Sequence, residues 1–214
     1  MSKLLPTNFP QPPAIANATY NYVDVADGTG VTIFYGAAVN SGSYGITPSY
    51  ILTPKVIYSA FRETTGATTP DTIDFDLTPF NSPRYALGTA EVTYCAYAGA
   101  STHMTSAFEI YKWDGTSAVS ISPCISGATI TGSSGATDNT HARINHVSLP
   151  LTPTQFVKGD VLRLRFTKKT ITGTATTLIG IDPKNRDGNF IKPSTNPISG
   201  SLVLQLDMPF RLDL

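Results

Sequence analysis

A chain of 214 residues with 15 basic and 15 acidic side chains carries no formal net charge, and so lacks the positive excess a protein needs to grip nucleic acid through its phosphates. Only 14% of the residues are charged, and abundant Thr, Ser, Gly and Pro describe a β-rich, loop-rich domain whose hydroxyl-covered surface suits packing against other proteins. No stretch reaches the roughly 18 apolar residues of a membrane helix, so no membrane association is expected.

The opening MSKLLPTNFPQPP lacks the apolar run of a signal peptide, which suggests synthesis in a cytoplasm without export by the usual route. Cys95 and Cys124 could pair, but two cysteines form no framework and read as reduced thiols. Residues 1–28 differ from the rest. Pro10, Pro12 and Pro13 fix φ and remove backbone donors, so the segment should be extended, near polyproline II. It is either a frayed terminus or an arm along a neighbouring subunit. In the second case Phe9 and Ile15 are its anchors, with Tyr20 and Tyr22 as further interface residues.

Residues 29–214 read as one β domain. Strand candidates follow at regular intervals: VTIFYGAAV (31–39), KVIYSAF (55–61), IDFDL (73–77), AEVTYCAY (90–97) and AFEIYKW (107–113). SAVSIS (117–122), INHVSLPL (144–151), VLRLRF (161–166), TTLIGI (176–181) and LVLQLDM (202–208) complete the set. About ten short strands with turn signals between them predict a β-sandwich or barrel. No window shows a helical stripe over three turns, and GATITGSSGATDNTH (127–141) is expected to be a loop at one end of the sandwich.

A period of two sends Leu162, Leu164 and Phe166 to one face of their strand and Arg163 and Arg165 to the other. The preceding Lys158-Gly159-Asp160 is turn chemistry. Ile73, Phe75 and Leu77 likewise share a face, leaving Asp74 and Asp76 opposite. The arginines are expected on the outside, paired with acids of a neighbouring strand or subunit such as those of IDFDL.

The search for chemistry returns little. His141 and His146 are five apart, which in a strand sets them on opposite faces, and His103 lies far away, so no metal site is expected. Two carboxylates placed as Asp74 and Asp76 could serve glycoside hydrolysis or bind calcium, but alternating acids are also how a half-buried strand stays soluble. Asp182, Asn185, Asp187 and Asn189 lack the spacing of a calcium loop and read as an Asx-rich turn. There is no GxSxG elbow, Gly-rich phosphate loop or CxxC, so neither catalytic residues nor a cofactor are expected. Tyr111 and Trp113 share a face by parity and could form a sugar-stacking platform or part of a subunit interface.

Several stretches together carry a resemblance: DGTGVTIFYGAAV (27–39), YILTPKVIYSAFR (50–62), IDFDLTPFNSPRYALGTAEVTY (73–94), FVKGDVLRLRF (156–166), IGIDPKNRDG (179–188) and LQLDMPFRLDL (204–214). Over most of the chain after residue 27 this pattern of strand edges and turns resembles the jelly-roll structural proteins of tailed bacteriophages. The resemblance implies an all-β, antiparallel jelly-roll sandwich with an extended N-terminal arm. It further implies a non-enzymatic capsid decoration or cement subunit, a homotrimer bridging the major capsid protein on the virion surface after assembly in the host cytoplasm. A tail or head-fibre module binding host-surface carbohydrate is the alternative.

Overall fold

The structure is a computed structural model that describes residues 30–39, 49–54, 62–65, 71–98, 102–132, 143–172, 177–180 and 204–211. The arm 1–28, the strand candidate KVIYSAF and the Asx-rich turn at 182–189 lie outside the described residues. Those described contain strands and turns but no helix.

In chain order the strands are β1 (Val31–Val39), β2 (Ser49–Thr53), β3 (Arg62–Thr65), β4 (Asp71–Leu77), β5 (Arg84–Ala86) and β6 (Thr89–Ala98). They continue with β7 (His103–Trp113), β8 (Ala118–Ser120), β9 (Ile125–Ser126), β10 (Ile130–Thr131) and β11 (Arg143–Pro150). The last four are β12 (Thr154–Phe156), β13 (Val161–Thr172), β14 (Thr177–Gly180) and β15 (Leu204–Arg211). The main ladder runs β10-β7-β13-β4-β2-β1-β15-β6-β14-β3, with β11 added to β6, and β8 and β9 added to β7. A smaller ladder joins β12, β5 and the end of β15.

The sheet is mixed, not wholly antiparallel as the sequence suggested. β2 and β4 run parallel, with Ile51 opposite Asp76 and Leu52 opposite Leu77. The chain between them detours through β3, which pairs elsewhere with β14. A detour of that length is what allows a parallel neighbour, because a tight hairpin can join only antiparallel strands.

One face of the sheet turns inward. Leu162, Leu164 and Phe166 of β13 are fully buried, as are Ile110, Phe108 and Met104 of β7 and Leu204, Leu206 and Met208 of β15. Each such side chain contributes roughly 1.5–3 kcal/mol of burial. β6 and β7 stand far apart in the strand order, yet the rings of Tyr94 and Phe108 lie 4.7 Å apart. The sheet therefore curls until its two halves face each other across one core. Gly36 sits where that core leaves no room, since a Cβ there would strike the side chain of Leu204.

Three local differences from the sequence expectation have a common cause. β7 begins at His103, ahead of the expected strand start at Ala107, and Met104, Thr105 and Ser106 are buried there. Ile130, in the expected loop 127–141, is buried and pairs with Met104 in β10. β13 runs on past Phe166 to Thr172, with an irregular register between Thr170 and Thr172. Threonine and serine fit a pleated, half-buried surface, so hydroxyl-rich runs here extend strands instead of ending them.

Candidate functional site

β13 lies between β4 and β7, with Arg163 opposite Asp76 and Tyr111, and Arg165 opposite Asp74 and Glu109. The alternation that buries Leu162, Leu164 and Phe166 thus lines up both arginines, both aspartates and two aromatics on the outer face. Arg163 Nε donates to Asp76 Oδ1 at 2.6 Å and Nη2 to Asp76 Oδ2 at 2.8 Å. Arg165 Nε and Nη2 grip Asp74 in the same two-pronged way, at 2.7 and 2.8 Å. Asp74 also lies 3.2 Å from Arg163 Nη1, which links the two pairs into one ladder.

The aromatics close the arrangement. The Arg165 guanidinium lies 4.5 Å from the centre of the Tyr111 ring, and Arg163 lies 5.1 Å from that of Trp113. Hydrogen bonding to Asp76 and Asp74 raises the pKa of Arg163 and Arg165 respectively, so both stay cationic. Burial pushes the Tyr111 hydroxyl up, with the neighbouring Glu109 adding to it. The ladder holds two positive and two negative charges in fixed, planar, half-buried geometry.

The turn feeding β13 is built to hold that register. Gly159 takes φ +97°, and Asp160 accepts from the Val157 N–H at 2.7 Å. Asp160 is buried and neutralised by Lys112 Nζ of β7 at 2.9 Å. At the same end of β7, just past Trp113, Gly115 adopts φ +94° in a turn closed by Asp114, whose Oδ1 accepts from the N–H groups of Thr116 and Ser117.

A second polar constellation occupies the outer face of β6 and β11. The register sets Thr93 opposite His146, with Glu91 two residues away on the same side. Thr93 Oγ1 lies 3.2 Å from His146 Nδ1, and His146 Nε2 lies 2.7 Å from Glu91 Oε2. A separate cleft of about 370 Å³ between β1 and the segment after β4 is lined by Phe34, Phe80, Asn81 and Arg84 among others. Arg84 is the only titratable residue described in its lining, and its guanidinium lies 5.5 and 5.7 Å from the ring centres of Phe80 and Phe210.

Of the residues singled out in the sequence, Arg163 and Arg165 are brought together with Asp74, Asp76, Tyr111 and Trp113. Phe9, Ile15, Tyr20 and Tyr22 lie outside the described residues, as does His141. His103 lies on β7 and not on the β6–β11 pair that carries His146, and its Nδ1 lies 3.0 Å from Thr131 Oγ1. No group of three metal-binding side chains occurs among the described residues. The Thr93–His146–Glu91 contact was not visible in the sequence, since its strands are some fifty residues apart.

No protein-family model matches the chain, and no characterised relative matches it in sequence. Its fold does match solved structures. A CocE/NonD family hydrolase from Staphylococcus aureus superposes with a TM-score of 0.55 at 12% identity, over 85% of this chain and 36% of that one. An α-amino acid ester hydrolase matches with a TM-score of 0.52 at 12% identity, over 85% and 36% of the two chains. An aminopeptidase from a marine-sediment Thaumarchaeota archaeon matches at 0.51 and 8% identity, over 83% and 37%. The chain thus spans about a third of the length of these proteins, and at such identities the likeness is one of fold.

These neighbours overturn the expectation of a non-enzymatic capsid decoration or cement protein, and with it the virion fibre alternative. All three are hydrolases. The resemblance to phage proteins rested on a sequence pattern of strand edges and turns, which all-β proteins of many functions share. The lack of a recognisable catalytic motif was likewise no argument against an enzyme, since catalytic groups are recognised by geometry and not by sequence position.

Proposed function

We propose that the chain is a jelly-roll β-sandwich module serving an ester- or amide-hydrolysing enzyme, and that the Arg163–Arg165 ladder seats it against that enzyme's catalytic body. The observation that carries this is the extent of the fold likeness: 85% of an all-β chain coincides with 36% of the S. aureus hydrolase. The remaining length of such a protein is the body a module of this kind accompanies. The curl that brings Tyr94 against Phe108 supports the sandwich form.

The ladder supports the choice of face. Arginine, tyrosine and tryptophan are enriched in the cores of protein interfaces. Here they are preset by neighbouring strands, so docking costs little side-chain entropy. Because the charges are already balanced, the face needs no matching countercharge on its partner.

The test is capture from an extract of the native source on immobilised chain, with hydrolysis of a p-nitrophenyl ester and an amino-acid ester read in the retained fraction. Wild-type chain should retain hydrolytic activity, and the Arg163→Gln/Arg165→Gln variant should retain several-fold less. Equal retention by the two, or none by the wild type, overturns the reading.

A further inference from the structure

The cross-strand contact on β6 and β11 has a direction. Glu91 Oε2 is buried and accepts no aligned hydrogen bond, yet it lies 2.7 Å from His146 Nε2, a contact between a carboxylate and a ring nitrogen that is attractive only when that nitrogen carries hydrogen. A carboxylate accepts and does not donate. In the neutral ring this places the lone pair on Nδ1, which faces the Thr93 hydroxyl at 3.2 Å. A hydroxyl, an imidazole base and a carboxylate that orients the base thus follow one another in the order nucleophilic catalysis requires. On the far side of Thr93 the register sets Gln205 of β15, whose amide nitrogen donates one hydrogen to Asp207 Oδ1 at 2.7 Å and keeps a second.

We propose that Thr93 is an acyl-accepting nucleophile and His146 its general base, in a hydrolytic site for small, uncrowded esters that operates without any docked partner. Thr93 Oγ1 attacks the acyl carbon while its proton passes to His146 Nδ1, and the spare amide hydrogen of Gln205 faces the developing oxyanion. The tetrahedral intermediate expels the alcohol, which leaves with the proton from Nδ1, and an acyl-threonine remains. Water then attacks the acyl carbon, giving its proton to Nδ1. Collapse returns that proton to Thr93 Oγ1 and releases the carboxylic acid. Glu91 stays ionised throughout and holds the imidazolium, which makes it a positioning residue.

The surroundings set the substrate class. The His146 side chain is 55% exposed, so the described residues around it do not wall in a long acyl chain, and the donor set supplies one side-chain oxyanion partner instead of a backbone pair. Acetyl and propionyl esters with good leaving groups fit this site.

The test uses the purified chain with p-nitrophenyl acetate, followed by peptide mass spectrometry of quenched samples. Hydrolysis above buffer and an acetyl group on Thr93 are expected, with Thr93→Val losing both. Thr93→Ser should keep activity, which separates loss of the nucleophile from loss of the fold. His146→Gln should slow acylation roughly 10²-fold or more, the usual reach of a positioned base. Glu91→Gln should lower kcat while leaving KM in place. Equal rates for the wild type and Thr93→Val, or acetylation only elsewhere, overturns the proposal. That outcome would leave the docking reading untouched, since the docking test compares wild-type chain with Arg163→Gln/Arg165→Gln, which share Thr93 and His146, and subtracts the hydrolysis that immobilised chain shows before it meets the extract.

Discussion

Removing Arg165 should be costly, and most of its cost should vanish when Asp74 is already gone. Arg165→Ala deletes two charge-assisted hydrogen bonds of 2.7 and 2.8 Å, a longer one to the Tyr111 hydroxyl and the stack on its ring. It also leaves Asp74, 28% exposed, with only the 3.2 Å contact to Arg163. Fully exposed ion pairs contribute at most about 1 kcal/mol, and breaking a buried one costs about 3–5. This pair lies between those limits, so the single variant should lose about 2 kcal/mol. The coupling in a cycle with Asp74→Ala should be about 1–2 kcal/mol. Urea unfolding followed by the fluorescence of Trp113, the chain's single tryptophan, measures all four corners, and circular dichroism checks that the transitions coincide. A coupling under about 0.3 kcal/mol, the scatter of independent sites, would refute the reasoning and make the ladder surface decoration.

Other expectations follow from the packing and the titrating groups. Gly127→Ala should destabilise by about 1–3 kcal/mol, because a Cβ there strikes the Tyr94 hydroxyl; a melting temperature equal to wild type would contradict it. Burial pushes the Cys95 thiol up to about 12, whereas Cys124 is exposed. A native thiol titration at pH 8 should therefore count one thiol, and a denatured one two; two reactive thiols in the native state would refute this. The Asp114 carboxyl is held below its usual range chiefly by the Ser117 N–H. Its contribution is present above the unfolded carboxylate pKa and fades as pH falls through the folded one. Asp114→Ala should therefore narrow the stability gap between pH 7 and pH 2, and an unchanged gap would show that the turn contributes nothing linked to that proton.

Much of the outer-face chemistry was legible because strand parity is local. Once IDFDL and VLRLRF alternate, carboxylates and guanidiniums occupy one face whatever the strands' neighbours are, and the pairing of Arg163 and Arg165 with Asp76 and Asp74 needed only that those two strands meet. Register over long separations is a different kind of information. Thr93 and His146 are 53 residues apart, and a slip of one residue would send His146 to the core face instead. The parallel placement of β2 beside β4 was illegible for the same reason, since it depends on where β3 goes. Ile130 and Met104 were hidden by their hydroxyl-rich neighbours, which resemble a loop in composition while packing as strands. Function was least legible of all. The repeated strand edges and turns that suggested a capsid protein reflect the physics of an all-β sheet and say little about function.

The most direct measurement of the central claim is amide hydrogen exchange of the chain alone and in its captured, ester-hydrolysing complex. Docking through the arginine–aspartate ladder predicts added protection at residues 74–76, 111–113 and 163–165, with β6 and β11 unchanged. Protection confined to other strands, or none at all in a complex that retains activity, would contradict it.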